Sequence, residues 1–314
     1  MKKFIVTVTA YLLLLGLLVS GINFLYVSKA DDDSLGTARF NEMPETIDVC
    51  NLGSSHGMYS FVYTEYADLG TFNFGFNAQT LSYDYRLLHY YQDHLTEGSI
   101  VFIPMSYQSF FGIDETHLPD FASKNKRYYP ILPRSYIKNY NFIEYLCTVP
   151  FPSISAGTKV ISVLLQKDNT AKEETIKTAD MLDLQDNAST TYWRQLVHNR
   201  RDQDGNLLLH EGEIQAAYDI INLCRSKKAI PILVTTPFLQ EYTDYVRQRR
   251  PDFLPYFYDI VNQISEDTDT PYLDYSFDER FKNDYSLFMD CDHLNKNGGI
   301  LFTDIVLNDI KNVT

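Results

Sequence analysis

The sequence predicts an α/β fold, a doubly wound parallel sheet, behind an amino-terminal transmembrane helix. Three observations carry this. Short apolar runs suited to strands alternate with segments of helical apolar spacing, and such alternation makes a parallel sheet with crossover helices on both faces. Two of the strand runs, residues 99–104 and 229–235, are apolar almost throughout, as in strands covered on both sides. Residues 4–27 hold no charge at all.

That last stretch spans roughly 36 Å as a helix, enough to cross a hydrocarbon core of about 30 Å with some tilt. Lys2 and Lys3 precede it, which predicts a cytoplasmic amino terminus, and Asp31, Asp32 and Asp33 fall on the translocated side. A cleaved signal peptide is the rival reading, with Ser28, Lys29 and Ala30 as its small-x-small site. Its apolar stretch is usually only about 7–15 residues, so a signal anchor over residues 1–29 is expected. On either reading the chain beyond about residue 30 is extracytoplasmic. Residues 30–45, polar and acidic with Gly36 and Pro44, read as a linker.

The folded part starts near Thr46. Residues 47–52 read as a strand stopped by Gly53, residues 55–66 as a helix, and residues 72–76 as a second strand. Residues 81–95 are helical, with Leu81, Tyr85, Leu88 and Tyr91 at three- and four-residue spacing, and the strand 99–104 follows. From about 107 to 205 the alternation stops. This stretch, rich in Tyr and Pro with a weak helix near 154–166, reads as an insertion. It either shapes a substrate groove or meets a partner, or it only caps the fold. The pattern then resumes. Ile214, Ala217, Tyr218, Ile221 and Cys224 mark a helix face that Lys227 and Lys228 close. The strand 229–235, a helix near 254–264, a short strand at 272–275 and a last helix over 296–310 complete the chain.

Composition narrows the function. Of 314 residues, 45% are hydrophobic and 22% charged, which excludes a disordered or collagen-like chain. The formal net charge of −14 repels phosphate backbones, so no nucleic-acid partner is expected. Tyr (24) and Phe (20) are abundant, and core packing accounts for most of them better than carbohydrate or protein contacts do. Cys50, Cys147, Cys224 and Cys291 form no C-x-x-C pair, so a structural zinc or thioredoxin motif is absent. Cys50 and Cys224 read as small buried hydrophobes, and one disulfide remains open. Residues 202–206 (Asp-Gln-Asp-Gly-Asn) read as a surface turn rather than a calcium loop, and His89 and His94 do not share a helix face. Arg247, Arg249 and Arg250 read as a solvated helix end, and the sequons at Asn187 and Asn312 as chance matches. No metal and no cofactor are expected.

Chemistry is expected where strands end. After the first strand the chain reads Asn51-Leu52-Gly53-Ser54-Ser55-His56-Gly57. A serine in a Gly-rich strand-to-helix turn presents its hydroxyl at the sheet edge, beside helix-start N–H groups that suit an oxyanion. His56 adjoins the serines, but neighbours on a helix diverge, so it is a poor base. Before the last helix stands Asp290-Cys291-Asp292-His293-Leu294-Asn295. A nucleophilic serine needs a base near neutral pH, and an imidazole needs a carboxylate to fix its tautomer. His293 is the candidate base and Asp290 its orienting acid, with Asp292 as the alternative.

Together the two motifs resemble the SGNH (GDSL-like) hydrolase superfamily, over about residues 46–312 with the insertion uncovered. Gly53-Ser54-Ser55 sits where the family has Gly-Asp-Ser, with Ser54 in place of the usual aspartate. Asp290-x-x-His293-Leu294-Asn295 with Gly298 matches the last block, and residues 74–80 (Phe-Gly-Phe-Asn-Ala-Gln-Thr) resemble the second. The resemblance implies a three-layer sandwich and a Ser55–His293–Asp290 triad. It also implies an oxyanion hole of backbone N–H groups from Ser55 and Ala78, with Gly75 as the alternative. The family's third block offers an asparagine. Here residues 103–108 read Ile-Pro-Met-Ser-Tyr-Gln, so Ser106 or Gln108 would have to substitute. The Gly-Ser-Ser turn, the anchor and the D-x-D-H-L-N ending look most like the teichoic acid D-alanine transfer protein group and related extracytoplasmic O-acyltransferases. Those imply a multi-pass membrane-bound O-acyltransferase as partner and a cell-surface polymer as acyl acceptor. The alternatives are an esterase acting on surface glycans and a non-catalytic assembly subunit.

Overall fold

The computed structural model describes residues 1–29, 36–112, 125–165, 176–198 and 201–312. Most of the expected linker's start (30–35), parts of the expected insertion (113–124, 166–175 and 199–200) and the end of the second sequon (313–314) lie outside the described residues. In chain order the main elements begin with α1 (Lys2–Lys29), β1 (Ile47–Asn51), α2 (Ser55–Ser60), β2 (Thr71–Asn73), α3 (Leu81–Tyr91) and β3 (Leu95–Pro104). Then come α4 (Phe142–Thr148), α5 (Pro152–Ala156), α6 (Lys159–Leu165), α7 (Leu184–Tyr192) and α8 (Glu211–Ser226). The chain closes with β4 (Ile230–Thr235), α9 (Gln240–Arg249), α10 (Phe253–Thr268), β5 (Tyr272–Asp274) and α11 (Lys296–Asp309).

These elements form two compact units. One comprises Met1–Glu42 and Glu115–Glu174, the other Met43–Asp114 and Thr175–Thr314. The stretch expected as one insertion is therefore divided: α4, α5 and α6 belong with α1, whereas α7 belongs with the sheet.

The second unit is α/β, with five parallel strands in the order β2-β1-β3-β4-β5. From β1 the chain steps outward to β2, then crosses back over β1 to β3 and continues in that direction. Right-handed crossovers put α2 on one face and α3, α8 and α10 on the other. Packing agrees, since α2 meets α11 while α3 packs on α8 and α8 on α10. The reversal makes a crevice at the carboxyl ends of β1 and β3, the general location of ligand sites in such sheets.

The core is aromatic. Its largest fully buried side chains are Tyr107, Tyr242 and ten phenylalanines, among them Phe74, Phe102, Phe238 and Phe288. Burying each contributes about 1.5–3 kcal/mol. The four cysteines are unpaired, and Cys50 and Cys224 are wholly buried, as small hydrophobes should be.

Three elements are shorter than their sequence patterns suggest. The helix expected over 81–95 ends at Tyr91, because Leu95 is already paired with Ile47 as the first residue of β3. The helix expected over 55–66 ends at Ser60, because side chains from elsewhere engage its last backbone groups. Asn73 Nδ2 donates to Met58 O (3.0 Å) and Phe61 O (2.9 Å), and Thr303 Oγ1 accepts the Val62 N–H (2.8 Å). The strand expected over 72–76 leaves the sheet after Asn73, whose Oδ1 accepts the Gly75 N–H (2.8 Å) in a tight turn. The helix end read at Arg247, Arg249 and Arg250 closes α9, whose start the sequence does not mark, because its polar composition hides a periodicity that only Tyr242, Thr243 and Val246 bury.

The turn after β1 is backbone-limited. Gly53 adopts φ +109°, and a Cβ there would lie 2.8 Å from Pro104 Cγ at the end of β3. Gly53→Ala is therefore expected to lower the free energy of unfolding by about 1–3 kcal/mol. A shifted urea midpoint at unchanged m-value would register this; an unshifted midpoint would show that the turn tolerates a side chain.

Candidate active site

The crevice brings Ser55 and His293 together from opposite ends of the domain's sequence. Ser55 is the first residue of α2, directly after the Gly53 turn, and is half-buried. His293 Nε2 lies 2.7 Å from Ser55 Oγ. On the ring's other side, Nδ1 lies 3.0 Å from each carboxylate oxygen of Asp290. Asp290 is itself fixed, because its Oδ1 accepts the backbone N–H groups of His293 (2.8 Å) and Asp292 (3.1 Å). The three residues expected to act together are thus in one hydrogen-bonded line.

The loop that carries them is stapled at both ends. Phe288 and Leu294 form an antiparallel bridge, and Met289 N donates to His293 O (2.9 Å). Asn295 caps α11, its Oδ1 accepting the N–H groups of Asn297 (3.0 Å) and Gly298 (3.1 Å). Gly298 lies so close to Leu287 O that no side chain fits there. A further tie comes from α7, where Asn187 Oδ1 accepts the Cys291 N–H (2.9 Å). The residue singled out as a sequon holds the loop that carries Asp290 and His293.

Asp292, the alternative acid, is not a competitor for the same place but a second carboxylate. Its side chain is wholly buried and lies 3.3 Å from His293 Nδ1 through Oδ1. Its Oδ2 accepts from His56 Nε2 at 3.2 Å and from Gln195 Nε2. Thr191 Oγ1 donates to Oδ1 at 3.4 Å, and Tyr242 OH donates to Gln195 Oε1 at 2.7 Å, which sets the amide's orientation. His56, dismissed as a base, makes no bond to Ser55. It stacks on His293 with ring centroids 4.9 Å apart and planes 13° from parallel. With its Nε2–H on Asp292, its Nδ1 accepts from Ser54 Oγ (3.5 Å), and Ser54 in turn meets Ser106 Oγ (3.4 Å). Thr191, Gln195 and Tyr242 were missed by sequence reasoning. No local pattern marks them, since each matters only for what it meets across the fold.

Charge follows from this arrangement. Burial alone would lower the pKa of His293, but the Asp292 charge, followed by the hydrogen bonds that its ring donates to Asp290 and Asp292, lifts it to about 10. Burial would raise Asp292, yet the His293 charge and the bonds from His293 and His56 hold it well below the usual carboxylate range. His56 is lowered, because its burial outweighs its bond to Asp292, and it stays neutral. His56, Asp292 and His293 have ligand atoms within 4.8 Å of one another, the spacing a metal ion would require. Those same atoms already satisfy each other and Asp290 by hydrogen bonds, and His56 is 1% exposed, so the set closes without an ion.

The expected oxyanion donors separate. The Gly75 N–H is engaged by Asn73 Oδ1, which removes it from the role. Ala78 sits in an exposed turn at φ +53°, and among the described residues its N–H has no protein acceptor. Such a conformation costs an alanine about 1–3 kcal/mol and concentrates where function fixes the backbone. Ser106 joins the site through Ser54, whereas Gln108 Oε1 is buried without a partner among the described residues and makes no bond to Ser55. Behind the turn, Asp84 Oδ1 accepts the Gly53 N–H (2.7 Å) and Gln79 Nε2 (2.6 Å), and burial pushes its carboxyl up to about 7. Residues 202–206 form a turn in which Asp202 accepts the N–H groups of Asp204 and Asn206, as expected of a surface turn.

No family model matches the chain, and no curated protein sequence matches it.

A base must be neutral to accept a proton. Because the pKa of His293 is raised, labelling of Ser55 by a serine-directed phosphonate is expected to accelerate as pH rises above neutral, towards about 10. Asp292→Asn removes the largest raising influence and should move the midpoint down by at least about one unit, towards the ordinary histidine value. Labelling rates against pH in both proteins measure this, and an unmoved midpoint would refute the role given to Asp292. The folded state should likewise lose the stabilisation due to His293 protonation as pH rises from about 6.5 towards about 10.

Proposed function

We propose that this chain is a membrane-anchored, extracytoplasmic serine O-acyltransferase of the SGNH type, with Ser55, His293 and Asp290 as its catalytic triad. The observation that carries the reading is the hydrogen-bonded line from Ser55 Oγ through His293 to Asp290, formed across 238 positions of sequence. Ser55 attacks the acyl carbonyl, and Nε2 of neutral His293 takes its proton. Asp290 orients the ring, and the two carboxylates stabilise the imidazolium. The backbone N–H groups of Ser55 and Ala78 hold the oxyanion; one such donor is typically worth about 2.7–4 kcal/mol. His293 then gives its proton to the leaving group. In the second half it deprotonates a hydroxyl of a polysaccharide or teichoic-acid-like polymer, which attacks the acyl-serine and frees Ser55.

The anchor fits that task. α1 is 28 residues long, with a mean hydropathy of 2.3 over its most apolar window, long and apolar enough to span a membrane. With Lys2 and Lys3 inside, the tether holds the enzyme beside a multi-pass O-acyltransferase that delivers the acyl group, and raises its effective concentration. An esterase reading has support of its own, because Ser55 is only half-buried and water can replace the polymer hydroxyl as acceptor.

Ser55→Ala is expected to abolish phosphonate labelling and acyl transfer in the full-length protein while leaving the thermal midpoint unchanged. A variant that still transfers acyl groups would refute the triad. Mass spectrometry of the surface polymer from cells lacking the protein distinguishes the two outcomes of the chemistry: lost esters for transfer, gained esters for hydrolysis.

A further inference from the structure

The unit built on α1 carries a surface that catalysis does not use. Near its carboxyl end α1 is no longer bare. Asn23 Nδ2 donates to Pro150 O (3.1 Å), and Asn23 Oδ1 accepts the Ser153 N–H in the first turn of α5 (3.1 Å). Tyr26 is buried against Val160 and Val163 of α6, with Ala156 and Leu164 beside them. Lys29 Nζ donates to Leu164 O (3.3 Å). α5 and α6 therefore grip α1 over residues 23–29, about 9 Å of helix at the end of its charge-free run.

The other side of these short helices is apolar and uncovered. Phe142 and Ile143 of α4, Ile154 of α5, and Ile161 and Leu165 of α6 are each 51–77% exposed. Five apolar side chains on a soluble surface would be costly. The same stretch, residues 125–165, carries five basic residues against one acidic, in a chain whose net charge is −14. It also holds an aromatic cluster in which Tyr129 meets Tyr140 and Tyr145. Apolar face, basic flank and tyrosines are the composition of a segment lying in the headgroup region. Its attachment to the last two turns of a spanning helix is the depth at which that region begins.

We infer that α4, α5 and α6 form an interfacial seat on an anionic lipid bilayer, their apolar residues dipping into the acyl boundary while Lys159 of α6 and the basic residues of the segment before α4 (Lys126, Arg127, Arg134 and Lys138) meet lipid phosphates. The inference rests on the reading of α1 as membrane-spanning and adds to it a second point of attachment. A single helix leaves the unit free to tilt and rotate, whereas a helix with a seat fixes its orientation to the bilayer plane.

The test uses the full-length chain in vesicles of phosphatidylcholine and phosphatidylglycerol, with no other protein present. In a Cys147→Ser background the remaining cysteines are buried. An environment-sensitive probe is placed through Ile161→Cys or, separately, through Leu14→Cys in mid-span. The expected result is an Ile161 probe several-fold shielded from aqueous iodide and quenched more by shallow than by deep doxyl-labelled lipid, with the Leu14 probe showing the opposite depth. An iodide-accessible Ile161 probe beside a deeply quenched Leu14 probe overturns the seat and leaves the anchor standing. Both probes in water overturn the anchor and the seat together.

Discussion

A carboxylate with no exposure to solvent stands at the centre of the candidate site. Asp292 has to be neutralised where it sits, because an unpaired charge at that depth would cost several kcal/mol. Opposite charge comes from His293 and, at 3.9 Å, Arg194, and hydrogen bonds come from His56 of α2, Thr191 of α7 and Gln195 of the turn after it. Tyr242 of α9 then locks Gln195. Satisfying one buried anion therefore draws the nucleophile's helix, the base and two supporting helices to a common point. The 2.7 Å separation of Ser55 and His293 is a consequence of that convergence.

The two aspartates divide the work on one imidazole. Asp290, partly exposed and fixed by backbone N–H groups, holds the ring's Nδ1 and hence its tautomer. Asp292 supplies charge from a drier place and makes His293 a strong base rather than a neutral-pH one. His56, stacked on the ring, limits its rotation from the side that hydrogen bonds leave open.

The unit containing α1 is built on a different pattern of burial. Its helices bury one side on α1 and expose the other, which is poor design for water and sound design for a boundary where one phase is hydrocarbon. Asn23 is telling in this respect. A polar residue within a charge-free span is costly in lipid unless it is bonded, and both ends of its amide are engaged by the chain around Pro150 and Ser153.

Periodicity alone located the strands and most crossover helices, because an amphipathic or wholly apolar run states its own burial. The sequence likewise identified Ser55, Asp290 and His293, whose chemistry is marked by local company: a glycine turn after a strand and a D-x-x-H before a helix. It also marked a helix long and apolar enough to cross a membrane, since a helix of residues without charge needs no tertiary context to be recognised. Only the tertiary structure decided the rest. Gly75 lost its role because Asn73 turned inward to meet it, and Asn187, Thr191, Gln195 and Tyr242 gained theirs through contacts 47 to 104 positions apart. A hydrogen bond between distant segments leaves no trace in the pattern of either one, so the support of the site was invisible until the chain had folded.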